Sequence, residues 1–285
     1  MDKPRVVIAG CGFLGEAAAV FFCGAGWEVR ALCATAESAA RLADQPFEIL
    51  AADIAGDLSG IPDCWLRPEV LIHCASSGGG GADAYRRIYR DGLENAIAFF
   101  HPERVIFTGS TSVYAQADGS WVDEGSPARP GHETGAVLLE AEMIALQQVE
   151  GVVARLGGIY GPGRSVLLRK FLEGTAAMEF GGARWINQIH RDDAARSLVK
   201  LAGRAVPRGI YNVCDNAPAT RRDVYSWIAG ALLKPLPPEG PPDPNGKRGQ
   251  ANKRVSNAKL RATGWQPAFP SYADALPGLL AHPLR

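Results

Sequence analysis

The chain has 285 residues, 47% hydrophobic and 21% charged, which is enough apolar material for one large core or a core with a smaller appendage. Its 30 basic and 30 acidic side chains cancel, so the charge balance points to neither nucleic acid nor a membrane surface. With no apolar run near the ~20 residues of a membrane span, no leader before the first strand and six cysteines scattered without CxxC pairing, a reduced, cytoplasmic protein is expected.

The first predicted strand is Arg5-Val6-Val7-Ile8-Ala9. The loop Gly10-Cys11-Gly12-Phe13-Leu14-Gly15 follows, then an Ala-rich helix over residues 16–23. A second strand spans 27–33, a helix 36–43 and a short strand 47–51. Residues 70–75 form a buried strand that runs into the small-residue loop 76–81, and a long helix covers 82–100. The next strand is 104–108. A helix runs from near Thr134 to Val149, and a further strand covers 152–156. These strands are continuous apolar runs alternating with helices. That pattern predicts an α/β fold, a doubly wound, Rossmann-type parallel sheet with helices on both faces. Beyond Tyr160 the pattern loosens through Gly161-Pro162-Gly163, residues 174–182 and the proline-rich stretch 234–249, expected to be an exposed extended loop. Residues 1–160 are therefore assigned to a nucleotide-binding domain. Residues 161–285 are assigned mainly to a small mixed substrate lobe, with some segments returning to the core.

The glycine loop has a mechanism as well as a pattern. Gly10 permits the tight turn, Gly12 lets backbone approach a pyrophosphate, and Gly15 lets the helix pack closely on its strand. The helix N-terminus, near Phe13 and Leu14, offers free N–H groups and a positive dipole end to phosphate. A turn without a nucleotide is the other reading of the same glycines. Loops after Ala9, Cys33, Ala51, Ala75, Thr108 and Leu156 all fall at the carboxyl edge of the sheet, where ligands bind in such folds. The five histidines show no metal-ligand spacing, and no metal site is predicted.

With these loops placed, the chain resembles the extended and atypical short-chain dehydrogenase/reductase superfamily, the NAD-dependent epimerase/dehydratase group. The first loop carries the resemblance, with Ala9 where the family has its first glycine. So do Ala52-Asp53-Ile54, Ile72-His73-Cys74-Ala75, Thr108-Gly109-Ser110-Thr111-Ser112-Val113-Tyr114, the stretch from Arg155 to Gly163, Ile189-His190-Arg191-Asp192-Asp193, Tyr211-Asn212-Val213 and residues 252–260. The resemblance implies that Gly10, Gly12, Phe13, Leu14, Gly15, Thr35, Asp53, Ile54, Cys74, Ala75, Ser76, Leu138 and Gly158 contact NAD or NADP. It also implies a homodimer through helices 82–100 and 134–149, although core packing explains the same apolar pattern.

One motif of the family is missing. Its members place Tyr-x-x-x-Lys on the helix after the serine strand, an i, i+4 spacing that brings both groups to one helix face. Aligned on Glu142, this chain has Thr134 in the tyrosine place and Leu138 in the lysine place, and no lysine occurs between Lys3 and Lys170. A threonine hydroxyl titrates too high to substitute simply. Ser110 keeps the family's hydroxyl, and Ser110, Tyr114 and Thr134 are the catalytic candidates. His132 and Glu133 are alternative acid–base groups or only loop residues. Arg164 and the cluster Lys247, Arg248, Lys253 and Arg254 offer anion contacts or a solvated basic surface. The second strand ends Ala31-Leu32-Cys33-Ala34-Thr35 without the acid that holds an NAD ribose, Glu37 standing two residues further on, and without an arginine, Arg41 lying one helical turn beyond, while Thr35 and Ser38 could take a 2′-phosphate. The preference is accordingly for NADP over NAD.

The functional expectation is an NAD(P)-dependent oxidoreductase or epimerase/dehydratase-like enzyme acting on a small polar substrate, nucleotide-linked ones included. A non-catalytic NAD(P)-binding sensor or partner-binding protein remains the open alternative, because the Tyr/Lys pair is absent and fold does not dictate chemistry.

Overall fold

Six of the apolar runs, and a seventh over Gly209–Val213, become parallel strands of one sheet in the computed structural model, which describes residues 3–241 and 251–282. In chain order they are β1 (Arg5–Ala9), β2 (Glu28–Cys33), β3 (Glu48–Ala51), β4 (Val70–His73), β5 (Arg104–Ser110), β6 (Gly151–Leu156) and β7 (Gly209–Val213). Their order across the sheet is β7-β6-β5-β4-β1-β2-β3. The chain therefore winds outward in both directions from the β1–β4 boundary. There Ala9 stands beside Leu32 on one side and His73 on the other. Helices over neighbouring strands diverge at such a boundary and leave a crevice at the carboxyl ends.

Both faces of the sheet are covered. The helix Phe13–Gly24 packs with Arg191–Ala202 on one face, where Ala18, Phe22, Leu198 and Leu201 join Ile8, Ile72 and Val152 in a buried cluster. On the other face Glu133–Gln147 lies over β5 and β6, burying Leu138 and Ala141 against Phe107 and Val153. Central strands buried on both sides are the reason these segments read as continuous apolar runs. β3 differs: it is an edge strand and none of its residues is fully buried.

The long helix expected over 82–100 forms in three joined pieces, α-helical at Ala82–Tyr85, π-helical at Arg86–Asp91 and α-helical again at Gly92–Phe100. Within the π segment the Ile88 carbonyl accepts a hydrogen bond from His73 Nε2 at 3.0 Å. Side-chain periodicity cannot reveal one extra residue per turn, so sequence reads this element as a plain helix.

After Tyr160 a second buried cluster builds around Tyr160, Phe171, Tyr225, Ile228 and Tyr272. Short ladders frame it: Gly158–Tyr160 runs parallel to Gln188–His190, and Trp185–Ile186 antiparallel to Ala219–Thr220. Arg191–Ala202 and β7, although late in the chain, belong to the layers of the main sheet. Of the proline-rich stretch, residues 234–241 are mostly exposed, with the Pro238 carbonyl held by Met178 N–H at 2.9 Å. Pro242, Pro244, Lys247 and Arg248 lie outside the described residues.

Candidate functional site

The glycine loop is built by close approach. Gly10 has φ +103°, and a Cβ there would stand 2.3 Å from the Ala75 nitrogen. The N–H groups of Gly10 and Cys11 both donate to the Leu32 carbonyl, at 3.1 and 2.7 Å. A Cβ on Gly15 would meet the Gly10 carbonyl oxygen at 2.2 Å, so helix and loop can touch only without one. Around Gly12 no atom lies within 4 Å of the corresponding position. The first turn of Phe13–Gly24 thus presents its free N–H groups to open space.

That space is a cavity of about 950 Å³ along the carboxyl edge of the sheet. Gly10, Gly12, Phe13, Leu14, Asp53, Ile54, Cys74, Ala75, Ser76, Ser110, Thr134 and Leu138 all line it. Residues from five separate segments thus meet at one place. A dinucleotide would fit this donor set, because the open backbone at Gly12 and the uncapped helix start suit a diphosphate. Three other expected residues stand elsewhere. Gly15 is buried under the loop and acts by packing. Thr35 is turned to its own helix, its hydroxyl accepting from Ser38 N–H at 3.2 Å. Gly158 lies in its short strand, and its neighbours Gly157 and Ile159 line the wall instead.

At one end of the cavity, Ser38 and Arg41 follow β2. Thr35 Oγ1 donates to Ser38 Oγ at 3.0 Å and Arg41 Nη2 to the same oxygen at 3.3 Å. Asp53 is hydrogen-bonded and ion-paired to Arg87, and that hydrogen bond chiefly holds its carboxyl below the usual range. At the other end Ser110 Oγ accepts from Ser112 N–H at 3.1 Å. Thr134 and Leu138, one helical turn apart, both face the cavity. His132 and Glu133 line the same wall, and Glu133 is ion-paired with Arg86.

Tyr114 has no place in this cavity. It is fully buried, its hydroxyl donates to Asn212 Oδ1 at 2.9 Å, and the Arg155 guanidinium stacks 4.8 Å from its ring centre. Arg155 is in turn clamped by Glu142 through two hydrogen bonds of 2.9 and 2.6 Å. The expectation of a catalytic Tyr114 is therefore corrected: chain proximity to Ser110 does not bring its hydroxyl to the cavity, because the turn Thr111–Val113 sends the ring inward. Lys253 is likewise buried, with its ammonium donating to the Tyr114 carbonyl at 2.6 Å, and Arg254 stacks between Trp121 and Trp185.

Tyr85 and Tyr89 also line the cavity and are among the residues that escape sequence reasoning. Their rings pack at 4.9 Å, and Tyr89 Oη reaches Ser76 Oγ at 3.5 Å. The i, i+4 spacing behind the Gly78–Gly81 run was the available signal. Beneath them His73 is completely buried, and burial pulls its imidazole pKa from 6.5 down to about 4. Burial also raises the Cys74 thiol to about 12 and pushes the Cys11 thiol well up, so neither is a ready nucleophile. Among the described residues no group of three His, Cys, Asp or Glu side chains could hold a metal ion.

The family model for the NAD dependent epimerase/dehydratase family matches residues 6–214. Protein YeeZ of Escherichia coli is 31% identical over 246 residues, covering 82% of this chain and 86% of its own. A Methylobacillus flagellatus structure assigned to the NAD-dependent epimerases/dehydratases is 32% identical with a TM-score of 0.79, covering 98% of both chains. Bordetella bronchiseptica WbmG, solved in complex with NAD, shares the fold at a TM-score of 0.81 and 17% identity, over 98% of this chain and 94% of its own.

Proposed function

This chain belongs to the NAD dependent epimerase/dehydratase family, and from that premise we propose that it is an NAD(P)-dependent oxidoreductase of epimerase/dehydratase type acting on a small polar substrate. The observation that carries the reading is one continuous cavity running from the glycine cradle to Ser110 and Thr134. Gly10, Gly12, Phe13 and Leu14 would hold the diphosphate, Asp53 and Ile54 the adenine side, and Cys74, Ala75, Ser76 and Leu138 the rest of the dinucleotide. Residues 1–160 supply most of these contacts, and the later lobe closes the substrate side.

When bound, the nicotinamide supplies hydride exchange; the protein's task is to orient the substrate and manage its proton. Ser110 can donate a hydrogen bond to a substrate carbonyl. Thr134 adds a second hydroxyl but no accessible proton, and Leu138 supplies no cation to tune one. Proton delivery therefore falls to water, to the substrate itself, to a cavity tyrosine or to His132 or Glu133 on the same wall. For the cofactor we favour NADP: Ser38 and Arg41 stand where a 2′-phosphate would arrive, and no carboxylate ends β2 to repel it. We read the protein as a homodimer through helices 82–100 and Glu133–Gln147, beside which Met143 and Val149 stand exposed. Six unpaired cysteines suit the cytoplasm.

The test is a titration with NADH and NADPH followed by nicotinamide fluorescence, with Gly12→Asp as control. Position 12 has room for a side chain, so the variant folds while placing a carboxylate where the diphosphate would sit. Binding in the wild type, lost in the variant, supports the reading; no binding of either nucleotide overturns it. NADPH binding at least tenfold tighter than NADH, abolished by Arg41→Ala, supports the NADP assignment. Binding without any turnover across a broad carbonyl panel would favour a sensor.

A further inference from the structure

Among the described residues at the Ser110 end of the cavity stands an exposed guanidinium, that of Arg164, with no carboxylate partner. Arg164 lines the cavity beside Gly157 and Ile159, the wall that continues β6. Ser110 pairs with Leu156 at the end of that strand, so Arg164 belongs to the Ser110 end of the cavity. Arg41 follows β2, with three strands between it and β6 across the sheet. Backbone geometry pins Arg164 from both sides. Its N–H and C=O exchange hydrogen bonds with Gly161, each 2.9 Å, across a tight turn that Gly163 enters at φ +74°. Ser165, the next residue, caps the helix Val166–Leu172, and its hydroxyl is hydrogen-bonded to the buried Tyr272 hydroxyl at 2.8 Å.

The side chain is also supported. Its guanidinium stacks over the Phe13 ring at 5.0 Å, and Arg191 lies over the same ring at 5.3 Å. Arg191 is neutralised by Asp192 at 2.8 Å. The lining carboxylates are committed as well, Glu133 to Arg86 and Asp53 to Arg87. Among the described residues Arg164 has no carboxylate partner, and its five N–H donors remain for a ligand. Stacking orients the exposed fork over the Phe13 ring without consuming its donors.

We propose that Arg164 receives an oxyanion, a carboxylate or phosphate, carried by the substrate, which makes the substrate of this enzyme an anion. The inference rests on the nucleotide-dependent reading above and deepens it by naming the substrate class. The other source of an oxyanion in this cavity is the dinucleotide's own diphosphate, and the experiment separates the two.

The protein saturated with NADPH is titrated by calorimetry with 4-formylbenzoate, 4-formylphenyl phosphate and the neutral 4-formylbenzamide. The same is done for Arg164→Gln, Arg164→Lys and, as an outside control, Arg169→Gln, an exposed arginine on the adjoining helix. Thermal melts check that each variant is folded. At least one anionic probe should bind tenfold or more tighter than the amide in the wild type and in Arg169→Gln. Arg164→Gln should erase that preference, and Arg164→Lys should keep part of it, since lysine retains the charge but not the bidentate fork. Cofactor affinities of Arg164→Gln, measured separately, should stay within about twofold. The proposal is overturned if neither anionic probe is preferred over the amide, or if Arg164→Gln keeps the preference. It is equally overturned if the variant loses NADH and NADPH affinity instead, which would assign the guanidinium to the diphosphate. If the wild type binds no nucleotide at all, the functional reading fails, while probe titrations on the cofactor-free protein still judge Arg164.

Discussion

Acid should weaken this fold through His73. The side chain ends β4 directly under the cavity, is fully buried, and lies between Phe107 and Tyr89 with ring centres at 5.4 and 6.0 Å. Its Nε2 meets the Ile88 carbonyl of the π segment, so that nitrogen carries the proton and Nδ1 is bare, with no partner. Protonating Nδ1 would place a charge and an unpaired N–H in the core. Burial accordingly lowers the folded pKa from 6.5 to about 4. A depressed folded pKa means the unfolded chain binds the proton first. The stability is fully present above pH 6.5 and is lost as pH falls towards 4. Linkage puts the loss at about 2 kcal/mol between pH 7 and pH 5, approaching about 3 kcal/mol below pH 4. Urea unfolding at pH 7, 6 and 5 for the wild type and His73→Phe measures it. The variant costs about 1–3 kcal/mol at pH 7, because the Ile88 carbonyl loses its donor, but its stability should fall less steeply with acid. Burial lowers the pKa of His190 too, yet it is present in both proteins, so the difference between the slopes isolates His73. Equal slopes would refute the argument.

Gly10→Ala should cost about 3 kcal/mol or more, since its Cβ would meet only backbone, at 2.3 to 2.7 Å, and φ is +103°. A melting temperature within 2 °C of wild type, a margin of roughly 1 kcal/mol or less, would contradict that. Glu142→Leu should lose about 3–5 kcal/mol by stranding the buried Arg155 charge, whereas Glu142→Leu with Arg155→Leu should lose less than either single change; a double-mutant cycle by chemical denaturation decides. Tyr114→Phe should cost about 1–2 kcal/mol through the Asn212 hydrogen bond and leave NADPH affinity unchanged. A large drop in cofactor affinity in that folded variant would return Tyr114 to the site.

Sequence alone carried the strand–loop–helix at residues 5–24, the alternation of apolar strands with helices and the loss of Tyr and Lys at Thr134 and Leu138. Those features are local: periodicity reports burial, and the glycines report backbone that a Cβ would obstruct within a few residues or at one neighbouring loop. Tertiary structure alone decided which side chains share the cavity. Tyr114 is four residues from Ser110 yet turns into the core, held by Asn212 from β7 and by Arg155, partners about 100 and 40 residues away whose approach no local pattern encodes. Tyr85 and Tyr89 reach the cavity on a helix whose π segment leaves no periodic mark. In sequence Arg164 reads either as an anion contact or as part of a solvated basic surface. It becomes a poised cation only because Phe13, about 150 residues earlier, lies beneath its guanidinium, and because the carboxylates that could have neutralised it are spent on other arginines. Pairing among charges is settled by three-dimensional proximity, so it had to await the fold.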